Sequence, residues 1–104
     1  MARVAFTMKL HPGQAEEYQR RHDLIWPELV TLLRETGIQS YSIFLDENTM
    51  TLTGILTIDD PARLSTLPAH PVMQRWWAYM GDIMETNPDQ SPVQTPLREV
   101  FYME

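Results

Sequence analysis

Apolar and polar residues alternate from the start of the chain. Val4, Phe6, Met8 and Leu10 fall on one side, Ala5, Thr7 and Lys9 on the other. A period of two predicts a half-buried strand. His11-Pro12-Gly13 stops it, and from Gln14 the pattern turns helical. Here Glu16 with Arg20, and Glu17 with Arg21, are spaced as i,i+4 pairs with the acid on the favourable N-terminal side. Another face of the same helix carries Tyr18, His22 and Ile25 or Trp26. Pro27 is costly inside a helix and tolerated in a first turn, so a break near Asp23–Trp26 is expected, with a new helix from Pro27 to Thr36. Leu29, Leu32 and Leu33 give that helix its apolar stripe, and Gly37 stands where a C-terminal cap needs positive φ.

The alternation returns in Gln39, Tyr41, Ile43 and Leu45 against Ser40, Ser42 and Phe44, a second strand. Asp46-Glu47-Asn48 makes a turn into Thr51–Ile58, whose β-branched residues predict a third strand paired with the second as a hairpin. Asp59-Asp60-Pro61 reads as a helix start, with an acid at the N-cap and Pro at the first helical position. That helix is short and interrupted by Pro68 and Pro71. The next runs from about Pro71 to Met84, Asn87–Pro92 is a loop by composition, and Leu97–Tyr102 is a fourth strand. The order β-α-β-β-α-β over residues 1–104, without linker or repeat, predicts a single α+β domain of ferredoxin-like, split βαβ type. Such a fold covers one face of its sheet with helices. The strands here carry apolar residues on both faces: Ile43 and Leu45 against Phe44, Leu56 and Ile58 against Ile55, Val100 and Tyr102 against Phe101. The second face needs a partner, and two sheets stacked in a C2 homodimer would supply it.

Charge and composition narrow the functions. The net charge is −6, with one Lys and seven Arg, which disfavours nucleic acid and anionic membranes as partners because both need clustered cations. No cysteine is present, so thiol catalysis, disulfides and thiolate metal sites drop out. No apolar run approaches the ~20 residues of a membrane span, and Met1–Lys9 lacks the pattern of a secretory signal. A cytoplasmic location is the expectation.

The groups able to do chemistry are few. His11 and His70 sit beside prolines in turns and read as solvated loop residues. No histidine has a metal-ligand spacing, so no metal is expected. His22 lies one helical turn after Tyr18 on the same face, and an imidazole that titrates near neutrality suits general acid-base work; it would equally suit a helix-end hydrogen bond. Tyr41 is either a core ring or a hydroxyl offered to a ligand. Trp76 and Trp77 point about 100° apart on a helix, so one indole can enter the core while the other faces a cavity or an interface. Asp82 and Asp89, which follow the pair, read as a helix-surface acid and a turn former. Aromatic rings, an indole N–H, phenols and an imidazole together suit a small polyhydroxylated ligand or a flat aromatic one.

The runs Glu16-Glu17-Tyr18-Gln19-Arg20-Arg21-His22 and Ile25-Trp26-Pro27-Glu28-Leu29 resemble the first helical region of L-rhamnose mutarotases. Gln74-Arg75-Trp76-Trp77, Tyr79-Met80, Asp82-Ile83-Met84, Asn87-Pro88-Asp89 and Glu99-Val100-Phe101-Tyr102 resemble the same family, so the similarity spans essentially the whole chain. The resemblance implies a dimeric α+β barrel that interconverts the α and β anomers of L-rhamnose in cytoplasmic rhamnose metabolism, without a cofactor. It implies His22 as proton donor and Tyr18, Tyr41, Trp76 and Trp77 as substrate-binding residues. The second proton-transfer group stays open among Tyr18, a carboxylate such as Asp89, and water. Two other functions fit the same aromatic pocket: a small monooxygenase of this fold, distinguished by oxygen uptake, and a sugar-binding dimer without catalysis.

Overall fold

The computed structural model describes residues 1–104. Four strands, β1 (Ala2–Lys9), β2 (Ile38–Asp46), β3 (Thr51–Ile58) and β4 (Thr95–Leu97), form one antiparallel sheet in the order β2-β3-β1-β4. The helices are α1 (Ala15–Asp23), α2 (Pro27–Glu35) and α3 (Pro71–Met80), with a 3₁₀ segment at Pro61–Ala69. The break before Pro27, the hairpin of β2 and β3, and the acid cap at Asp60, whose side chain accepts from the Ala62 N–H at 3.0 Å, are as the sequence predicts. Gly37 ends α2 with φ 104°, and a Cβ there would lie 2.1 Å from Asp59 Oδ1.

The helices cover one face of the sheet. Phe6, Met8, Leu52, Leu56 and Ile58 point into the core beneath them, where they join Leu29, Ile38, Met73, Trp76 and Met80. A β-bulge between Ile38 and Ser40 decides what β2 contributes. Ile38 and Tyr41 are an odd number of residues apart, so a regular strand would send them to opposite faces. The extra residue at Gln39 turns both inward.

Gly54 lies opposite Phe6 in the β1–β3 ladder, and the Phe6 ring folds over it. A Cβ at Gly54 would come within 2.6 Å of that ring. Phe6 in turn meets Tyr41 edge-on, with centroids 6.2 Å apart. Gly54→Ala is expected to destabilise the protein by ~1–3 kcal/mol through overpacking, read as a lowered midpoint in urea with an unchanged slope.

Three expectations are corrected. The last helix ends at Met80 rather than Met84, because Ile83 and Met84 turn inward: His11 N–H donates to the Ile83 carbonyl at 2.8 Å, and Met84 bridges to Leu10. The fourth strand is Thr95–Leu97, not Leu97–Tyr102. It pairs with β1 as Thr7–Thr95, Phe6–Pro96 and Ala5–Leu97. Continuing that register would set Val100 against Ala2 and Phe101 against Met1, where β1 runs out. Only Arg3 holds the tail, through an ion pair with Glu99 at 3.1 Å and its guanidinium 3.6 Å above the Tyr102 ring. The third concerns the ion pairs of α1: Arg20 joins Arg21 on Glu17, rather than pairing with Glu16.

Candidate active site

α1 carries a turn of two aromatic groups. Tyr18 and His22 are four residues apart, so their rings overlap along one face: they stack with centroids 4.4 Å apart and 27° between planes. Tyr18 is the only residue of α1 that is buried. His22 Nδ1 lies 3.1 Å from the Tyr18 carbonyl oxygen. A carbonyl cannot donate, so Nδ1 carries the proton and donates it. The neutral ring therefore keeps its lone pair on Nε2. Burial pushes His22 below its ordinary value of 6.5, opposed in part by the bond to the Tyr18 carbonyl and the charge of Asp23.

α3 supplies the opposing wall. His70 caps it, its Nδ1 accepting from the Val72 N–H at 3.2 Å, with Pro71 in the first turn. His70 is thus a cap rather than a plain loop residue. Trp76 is buried and stands edge-on to His22 at 5.4 Å and 89°. Trp26 meets Trp76 edge-on at 5.1 Å and stacks on Tyr79 at 5.6 Å. Trp77 is half-buried. The two indoles divide as their 100° offset requires: Trp76 sits at the centre of the aromatic cluster, and Trp77 is the more open.

Tyr18, His22, Tyr41, Trp76 and Trp77 all line one cavity of about 1310 Å³ between the sheet and the helices. A monosaccharide fills only part of such a space, since ~300–1,000 Å³ accommodates a drug-sized ligand. Neither phenol has a hydrogen-bond partner within the protein; the Tyr18 oxygen is not sealed off, and Tyr41 is 38% exposed. Burial raises both above the ordinary tyrosine range, Tyr18 further through its neighbour Tyr41, so both stay protonated at neutral pH and are offered as donors.

Asp89 is committed elsewhere. Its carboxylate accepts from the Ser91 N–H and hydroxyl, which holds it below its ordinary range and folds the Asn87–Pro92 loop on itself. Asn87, Ser91 and Pro92 of that loop reach the rim of the same cavity. No three His, Cys, Asp or Glu side chains come together as a metal-binding group.

The five residues that the resemblance implies are brought to one cavity, but the residues that support them were missed. Trp26 and Tyr79 complete the aromatic cluster. Arg21 donates to Glu17 at 2.7 Å, to the Tyr79 carbonyl at 2.8 Å and to Asp82 at 2.8 and 3.3 Å. Its spacing to Glu17 was visible in the sequence. Its reach to Asp82, 61 positions away, was not.

Comparison with known proteins gives a consistent result. A family model described as L-rhamnose mutarotase matches residues 3–103. The chain is 56% identical to an L-rhamnose mutarotase of Rhizobium meliloti (strain 1021) over 103 residues, 99% of each chain. It superimposes on the crystal structure of an L-rhamnose mutarotase from Formosa agariphila with a TM-score of 0.93, at 47% identity and full coverage of both chains. A dimeric ferredoxin-like protein from Jannaschia sp. CCS1, 16% identical, shares the fold with a TM-score of 0.59 over 94% of this chain and 100% of that one.

Proposed function

The chain belongs to the L-rhamnose mutarotase family, and on that premise we propose how its own residues interconvert the α and β anomers of L-rhamnose. The enzyme is an isomerase that opens a cyclic hemiacetal and recloses it on the other face of the carbonyl. Opening breaks the ring C–O bond, removes the proton from the anomeric hydroxyl and delivers one to the ring oxygen from a cavity water, which takes that proton back on reclosure. The observation that carries the assignment is the Nδ1 bond of His22 to the Tyr18 carbonyl. It fixes the tautomer, so Nε2 takes the anomeric proton. The imidazolium then returns it to the carbonyl oxygen on reclosure, acting there as the proton donor that the family resemblance implies.

The phenols of Tyr18 and Tyr41 bind sugar oxygens as donors and meet charge developing on the ring oxygen. Trp77 offers an indole face to the C–H side of the sugar, while Trp76 backs His22. Metal ligation is not required by this arrangement, since all groups named act through protons and hydrogen bonds. The reading puts the enzyme in the cytoplasm, in rhamnose metabolism; no helix is long and apolar enough to cross a membrane.

Exchange between the anomeric signals of L-rhamnose, followed by saturation-transfer NMR, tests the proposal. The base form is the active one and burial lowers the His22 pKa. The catalysed rate is therefore expected to be full at neutral pH and to fall as pH drops through a midpoint below 6.5. A rate that rises on acidification would overturn the assignment of His22 as the initial base.

The reading includes a homodimer. The uncovered sheet face exposes Phe44, Ile55 and Leu97, and the tail adds Val100, Phe101, Tyr102 and Met103. Apolar surface of this extent is unusual on a monomer, and a second copy stacked sheet to sheet covers it. Light scattering at micromolar concentration should give twice the chain mass of 12.2 kDa; the mass of one chain would refute the dimer.

A further inference from the structure

The helix that bears His22 is poorly anchored by apolar contacts. Of the nine residues of α1 only Tyr18 is buried, and no side chain caps its N-terminus. Tyr18 alone sets a pivot, not an orientation. What fixes rotation about that pivot must be polar, and one group is placed to do it. The Arg21 side chain is only 10% exposed. Its guanidinium is shared among Glu17 on its own helix, the Tyr79 carbonyl at the end of α3 and the Asp82 carboxylate just beyond. It also lies 4.5 Å above the Tyr79 ring. That ring packs against Trp76 at 5.7 Å, and Trp76 is the ring that His22 meets edge-on.

We propose that Arg21 is a positioning residue for the reaction: its clasp on the C-terminal end of α3 sets the rotation of α1 and so holds the His22 imidazole edge-on to Trp76, with Nε2 in the cavity. A forked guanidinium is suited to this, because it bonds a carbonyl and two carboxylates from one plane. Both carboxylates are held below their ordinary range, Glu17 at about 2 through Arg20 and Arg21, and Asp82 through Arg21. The clasp is therefore fully charged across the range in which His22 titrates.

The inference rests on His22 being the proton-transfer group, and the test separates the two. Arg21→Ala is expected to lower kcat roughly 10²-fold, the scale of a misplacement of about 1 Å. KM should change far less, because Tyr41 and Trp77 lie on other elements. The pH midpoint of the rate should move up toward the ordinary histidine value as the ring loses its packed surroundings. Arg21→Lys, which keeps the charge but not the fork, should fall between, and it guards against a variant that fails to fold. Asp82→Ala should shift kcat and the midpoint in the same direction, and the double variant Arg21→Ala/Asp82→Ala should be no worse than Arg21→Ala alone. Arg20→Ala, exposed and bonded only to Glu17, serves as the charge-matched control with wild-type rates. If the Arg21 variants keep the wild-type kcat and midpoint while His22→Ala is inactive, the clasp inference fails alone. If His22→Ala keeps the full rate, the catalytic reading fails with it.

Discussion

His22→Ala is expected to lower the enzyme-catalysed exchange of L-rhamnose anomers by roughly 10²–10⁴-fold, the usual share of a general acid-base group. The sugar would still bind, because the two phenols and Trp77 are untouched. KM should therefore change less than kcat, as when an interaction made only in the transition state is removed. The fold should survive, since Tyr18 rather than His22 is the buried residue of α1. An unchanged far-UV spectrum and a cooperative urea transition would establish that. His22→Gln makes a second check: it keeps an amide donor but no group that titrates, so its residual rate should lose the acid limb of the pH profile. A His22→Ala enzyme that exchanged anomers at the wild-type rate would remove His22 from the mechanism.

The local pattern located the succession of strands and helices, the break at Pro27 and the cap at Asp60, because each depends on periodicity or on turn chemistry, while the family resemblance, carried by ordered runs of rare residues, named five residues that line one cavity. What stayed illegible depends on pairings across the fold. The bulge at Gln39 is an example. The alternation of Tyr41, Ile43 and Leu45 was readable, but whether that face joined Ile38 under the helices depended on one unpaired residue. The end of β4 is another. Glu99–Tyr102 has strand composition, yet a strand needs a partner, and the register of Ala5 with Leu97 exhausts β1 within a few residues. Arg21 and Asp82 are distant in sequence, and nothing local marks an arginine that will reach another element. His70 between two prolines looked like a loop, although a ring nitrogen before a helical Pro is also able to cap the helix.

Trp76→Ala carries the other large expected effect, and it falls on stability. Trp76 is 6% exposed and touches His22, Trp26 and Tyr79. Removing a buried indole leaves a cavity lined by rings that cannot collapse into it, at a cost of ~3–5 kcal/mol. That is a large fraction of the ~5–15 kcal/mol that holds a domain folded. Trp77 is half-buried, so Trp77→Ala should cost clearly less stability and instead raise KM by removing a face on which the sugar rests. The pair thus predicts a split between neighbours: Trp76→Ala should unfold at much lower urea, while Trp77→Ala should unfold close to wild type and bind L-rhamnose weakly. Trp76→Phe separates the two roles of the inner ring. It refills most of the cavity and restores most of the stability, yet shortens the edge that His22 meets, so any remaining loss of kcat would measure the support that Trp76 gives to the imidazole. Equal stability losses at Trp76 and Trp77 would contradict this division, since adjacent residues on one helix face directions about 100° apart and only Trp76 is fully buried, Trp77 packing half-buried against the core's edge.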